Sequence, residues 1–82
     1  MYVARVKIAL KHGVSDPEGA NTLKALHLLG FDDVSEVSTQ RVVHLRVKAD
    51  DESGARKTAE AACRRLLTNP IIHDFTIEVE GE

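Results

Sequence analysis

The sequence predicts an α+β domain of two layers, two helices packed on one face of an antiparallel sheet in the order βαββαβ. Three observations predict it. Apolar and polar residues alternate at both ends of the chain, two segments between them carry helix start and stop signals, and the stretch joining those helices is extended again. At 82 residues the chain is expected to form a single domain spanning 1–82.

Residues 2–11 form the first expected strand. Tyr2, Ala4, Val6, Ile8 and Leu10 share one face, and Val3, Arg5, Lys7, Ala9 and Lys11 the other. One apolar face suits an antiparallel sheet covered on a single side.

The segment Ser15-Asp16-Pro17-Glu18-Gly19 opens a helix. Ser15 or Asp16 can accept from the free amides of the first turn, and Glu18 lies three residues after Ser15 as in a capping box. Pro17 fits the first turn, where a missing N–H costs nothing. Thr22, Leu23, Ala25, Leu26 and Leu29 then recur at helical spacing, and Gly30 suits the left-handed residue that ends a helix.

From Val34 to Val47 the chain reads as extended, with Val37, Val43, Leu45 and Val47 on one parity. The residues of a tight hairpin turn are missing between Ser35 and Lys48. Either two strands join through an atypical turn near Thr39-Gln40-Arg41, or one long strand bends there. A single strand of that length reaches about 45 Å, so part of it would have to pair outside its own subunit.

Asp50-Asp51-Glu52-Ser53 supplies a cap and negative charge at a second helix start. Its apolar stripe is Ala55, Ala59, Ala62, Cys63, Leu66 and Leu67, mostly small residues that permit close approach to a sheet. Asn69-Pro70 stops it, because proline disfavours helical geometry in the residue before it. In the last strand Ile71, His73, Phe75, Ile77 and Val79 share a face, with Asp74, Thr76, Glu78 and Glu80 opposite. The two similar halves make a ferredoxin-like plan. If the outer strands are neighbours, Arg5 and Lys7 face Glu78 and Glu80.

A net charge of −2 argues against a nucleic-acid partner, which requires a dense basic footprint. No apolar run reaches membrane-spanning length, so no membrane partner is expected. The N-terminus alternates where a secretory signal needs an apolar core, and a lone cysteine fits a reducing compartment, so a cytoplasmic location is expected. A domain this small has a thin core, and association with other chains is a natural way to bury more surface.

No reaction centre is apparent. His12, His27, His44 and His73 lack metal-ligand spacing, and there is no CxxC. His73 lies on the apolar parity of its strand and reads as a core or interface histidine; His27, off its helix's main stripe, reads as a solvated surface residue. Cys63 lies among small stripe residues and reads as a buried hydrophobe. The carboxylates Asp16 and Glu18 are explained by capping.

Several segments together resemble the PurS family, small subunits of formylglycinamidine ribonucleotide synthase. Lys11-His12-Gly13-Val14-Ser15-Asp16-Pro17-Glu18-Gly19 matches the family's K-x-x-[VI]-x-D-P-x-G. Ala25-Leu26, Leu29-Gly30-Phe31 and Val34 with Val37 follow at the family's spacing, and Leu66-Leu67-Thr68-Asn69-Pro70-Ile71-Ile72 resembles L-L-x-N-P-x-I. Where the family typically continues with R-x-G-K, this chain has Ser38-Thr39-Gln40-Arg41, which keeps only the last basic position.

The resemblance implies a non-catalytic part of a three-component ligase that joins a glutaminase subunit to a large ATP-dependent synthetase subunit and helps ammonia pass between them. It implies self-association to a dimer or tetramer. No cofactor is expected on this chain; ATP and Mg belong to the large subunit. Asp16, Pro17, Gly19 and Gly30 are expected to fix the first helix, and Lys11, Arg41, Asn69 and Pro70 to meet partners. The rival function is a free-standing ferredoxin-like module binding a small effector.

Overall fold

The computed structural model describes residues 1–82. Three strands, β1 (Tyr2–Leu10), β2 (Gln40–Val47) and β3 (His73–Gly81), form an antiparallel sheet in the order β2-β1-β3. Two helices, α1 (Pro17–Leu28) and α2 (Glu52–Ala62), complete the α+β architecture, and a π-helical turn, Cys63–Leu67, extends α2. The expected neighbour relation holds: β1 is central, with Val6 opposite Val43 on one side and Ile77 on the other.

The alternation places Ala4, Val6 and Ile8 beneath Ala55, Ala59 and Cys63 of the second helical segment, and Val47 joins them in the core. Small side chains on α2 let it approach the sheet closely, so Val6 and Cys63 are fully buried. Val43, Leu45, Leu67, Phe75 and Ile77 ring this centre as half-buried neighbours. On the opposite face Arg5 Nη1 lies 3.0 Å from Glu78 Oε2, and Lys7 Nζ 4.0 Å from Glu78 Oε1. Such exposed cross-strand pairs contribute about 0.2–1 kcal/mol, enough to favour register but not to hold the fold.

The middle of the chain is not a hairpin. Strand pairing begins at Gln40, and residues 34–39 have no strand beside them. They run back along α1 instead: Val34 O accepts from His27 Nε2 at 2.7 Å, Val37 O lies against Gly19, and Thr39 N donates to Asp16 Oδ2 at 2.9 Å. These pairings ascend one segment while descending the other, so α1 and 34–39 form an antiparallel arm. The β2 side of the plan is thus the long-strand alternative, with its first part leaving the sheet.

The arm also changes the helical layer. α2 packs on all three strands, whereas α1 has no extended packing with the sheet or with α2. Only eight of 82 residues are buried, and the molecule measures 51 × 28 × 14 Å. Its radius of gyration is 16.3 Å, against about 12 Å for a compact chain of this length. One half of the predicted helix layer therefore lies off its own sheet.

The other departure is local. Thr68 N and Thr68 Oγ1 both donate to Cys63 O at 2.9 Å, an i to i+5 closure that widens the last turn of the second helix. The widened turn keeps Leu67 half-buried but leaves Leu66, assigned to the stripe by α-helical spacing, 84% exposed.

Candidate functional site

The start of α1 is built around one carboxylate. Asp16 is its N-cap, accepting from Gly19 N at 2.9 Å, and Pro17 occupies the first turn. Ser15 is not the cap. Asp16 also accepts from the backbone amide of Thr39 at 2.9 Å and from its hydroxyl at 3.1 Å. Those N–H donors hold the Asp16 carboxyl below its ordinary pKa, the Gly19 amide most, then the Thr39 amide. Gly19 is buried, and a Cβ there would fall inside the contact radius of Val37 O and the Asp16 carboxylate. Glycine here permits the helix to lie against 34–39.

The far end of α1 closes as a Schellman motif. Gly30, at φ +94°, donates to His27 O at 3.1 Å, and Phe31 N donates to Leu26 O at 3.0 Å. His27 is exposed, as expected of a surface residue, and its Nε2 donates to Val34 O. The tip leaves Leu28 81%, Leu29 74% and Phe31 52% exposed, beside Asp32 and Asp33. Contiguous apolar exposure of this kind marks an interaction surface.

Below the arm lies an open depression of about 770 Å³ whose lining includes Ile8, Leu10, Asp16, Thr39, Arg41 and His73. Ile8, Leu10 and His73 in its lining belong to the inner face of the sheet, against which α1 has no extended packing. Arg41 Nη2 crosses its rim to donate to Leu67 O at 2.9 Å. His73 Nδ1 accepts from Asn69 N at 2.9 Å, which places the ring proton on Nε2.

Lys11 Nζ stands 3.7 Å from Asp74 Oδ1. Asn69 Oδ1 accepts from Ile71 N at 3.0 Å, turning the chain between the π-helical turn and β3. Pro70 sits in that turn, next to Ile71 at 81% exposure. Of the residues singled out from the sequence, Asp16, Pro17 and Gly19 are brought together at one end of the arm, and Gly30 closes the other. Lys11, Arg41, Asn69 and Pro70 are spread around the upper end of the sheet.

Cys63 is wholly buried beside Val6 and Ile8, and desolvation pushes its thiol above the ordinary value. No group of three His, Cys, Asp or Glu side chains is arranged to hold a metal ion, and no helix is long and apolar enough to cross a membrane. Sequence reasoning missed Thr39 and Val37, the long-range partners of Asp16 and Gly19. Nothing in local spacing signals a contact 23 residues away.

Comparison with known proteins bears on the whole chain. The family described as PurS: Phosphoribosylformylglycinamidine (FGAM) synthase matches residues 3–81. The phosphoribosylformylglycinamidine synthase subunit PurS of Archaeoglobus fulgidus is 45% identical over 75 residues, 92% of this chain and 94% of that relative. The crystal structure of Methanocaldococcus jannaschii PurS, one of the subunits of formylglycinamide ribonucleotide amidotransferase in the purine biosynthetic pathway, superposes with a TM-score of 0.88. It is 42% identical and covers 98% of this chain and 96% of its own. Bacillus subtilis PurS matches at a TM-score of 0.86 and 32% identity, covering 99% and 100%.

Proposed function

The chain belongs to the PurS family, and from that premise we propose that it is a subunit of phosphoribosylformylglycinamidine synthase in purine biosynthesis, acting through its surfaces without a reaction centre of its own. The observation that carries this reading is the incomplete monomer: an arm with an exposed apolar tip, residues 34–39 with no strand beside them, and a sheet face covered by one helix only.

A second copy supplies what is missing. The slot beside β2 takes an antiparallel strand, and 34–39 is a strand-like segment in need of one. Two long segments 34–47, related by a twofold axis, would fill each other's slots, and each α1 would then rest on the other copy's sheet. Burying the arm tip and the open face in this way adds the core that one copy lacks. Lys11, Arg41, Asn69 and Pro70 ring the end of the sheet from which the arm leaves, where a second copy or another subunit meets it.

The assembled subunit then joins a glutaminase, which releases ammonia from glutamine, to a large synthetase subunit carrying ATP and Mg. ATP activates the amide oxygen of formylglycinamide ribonucleotide, and ammonia displaces the resulting phosphate. Ammonia reaching water is protonated and loses its nucleophilic lone pair, so the two centres must be docked and sealed. Such a joint needs complementary surfaces and no catalytic side chain. A cytoplasmic location follows for this role.

The experiment is reconstitution. Glutamine-dependent amidine formation by the glutaminase and large synthetase should require this chain, while the chain alone should turn over nothing. Equal rates with and without it would end the proposal.

A further inference from the structure

The two edges of the sheet are chemically unequal. At the ends of the β1–β3 ladder, Lys11 N donates to Ile72 O at 2.8 Å and Glu82 N donates to Met1 O at 2.9 Å. Both pairs continue the register in which Tyr2 faces Gly81 and Val6 faces Ile77. Bonded and non-bonded pairs alternate along an antiparallel ladder. Counting from either end, Val3–Glu80, Arg5–Glu78, Lys7–Thr76 and Ala9–Asp74 are bonded pairs, and Val6–Ile77 is not. The N–H and C=O of Ile77 therefore point away from β1, to the free edge.

That carbonyl is already taken. Arg56, half-buried on α2, donates from Nη1 to Ile77 O at 2.9 Å. Ile77 is the middle residue of β3, where an incoming strand would have to place its own N–H. Pairing β3 with its own copy about Ile77 would also set Glu80 opposite Asp74, a like-charge pair. On the opposite edge, no side chain bonds to the backbone of β2. Edge strands with free backbone groups recruit further strands unless something covers them.

We propose that Arg56 closes the β3 edge to strand addition by a second copy of this chain, so that the sheet grows only from its β2 side. The guanidinium occupies the central acceptor, on a side chain that is half-buried. This directs self-association to one edge and prevents open-ended stacking of sheets. It is independent of whether the chain serves the synthase.

Two measurements test it on the full chain. Arg56→Met keeps the stem and removes the donor; in sedimentation velocity it should give species larger than any the unmodified chain forms, in a fraction that grows with concentration. Arg56→Lys, which can still donate, should restore the original distribution. In the unmodified chain, NMR should find the Arg56 guanidinium protons slowed in exchange and rotation relative to those of exposed Arg65. A folded Arg56→Met chain with an unchanged distribution overturns the proposal. So do Arg56 guanidinium signals as averaged as those of Arg65, whatever the variants do.

Discussion

The carboxylate of Asp16 grips Thr39 twice, by its backbone amide at 2.9 Å and its hydroxyl at 3.1 Å, while capping α1 through Gly19. One side chain thus anchors the helix start to the residue just before β2 and sets the direction in which the arm leaves the sheet. Because these donors favour the charged form, the folded-state pKa of Asp16 lies below the ordinary 3.8. Its contribution to stability is therefore present above about pH 4–5 and is lost as pH falls through the depressed folded value. Asp16→Asn keeps a cap oxygen but leaves no second acceptor for the Thr39 amide. Denaturation midpoints of the two proteins should differ at pH 7 and converge at about pH 2; a gap independent of pH would show that charge plays no part.

Gly19→Ala should go against helix propensity. At an ordinary helix position the change favours the helix by about 1 kcal/mol. Here the added methyl meets Val37 O, a backbone atom with little freedom to retreat. Equilibrium denaturation should show a loss of stability, and the arm should detach before the sheet. A more stable variant would mean that α1 does not lie against 34–39.

The thiol of Cys63 should resist modification while the chain is folded. It is fully buried among Val6 and Ile8, and burial raises its pKa above 9.0. An aromatic disulfide reagent at pH 8 should react only at the rate of unfolding, and at once in denaturant. The raised folded value also means that the unfolded thiol ionises first, so this contribution to stability fades as pH climbs past about 9. Rapid labelling of the folded chain would place the π-helical turn elsewhere.

At the tip of the arm, Leu29→Ser together with Phe31→Ser should leave the monomer's secondary structure intact, because both side chains are exposed. Surface changes of this kind usually alter stability by no more than about 0.5 kcal/mol. Self-association should weaken by at least tenfold, read from the concentration dependence of the sedimentation coefficient. Unaltered association would exclude the tip from the interface.

Much of the molecule was legible from the order of its residues. Strict alternation assigned Ala4, Val6 and Ile8 to the core and Arg5 to an outer partner, because a strand has only two faces and water distinguishes them. Asp16, Pro17 and Gly30 marked the ends of α1 through chemistry that acts within one helical turn. The segment 34–47 lacked turn residues, and that absence already allowed a strand too long for one body. Leu66 was misassigned because a π-helical closure at Cys63 rotates the residues after it, and periodicity carries no warning of that.

The sequence by itself determined which segments are strands and helices and which faces repel water, since those are set by neighbours a few residues apart. Where α1 lies was decided only by the tertiary structure. Asp16 to Thr39, Gly19 to Val37 and Arg56 to Ile77 join positions far apart in the chain, and contacts of that range arise from how rigid elements meet in space. An apolar helix face states that it must be covered; only the folded arrangement shows that this chain does not cover it alone.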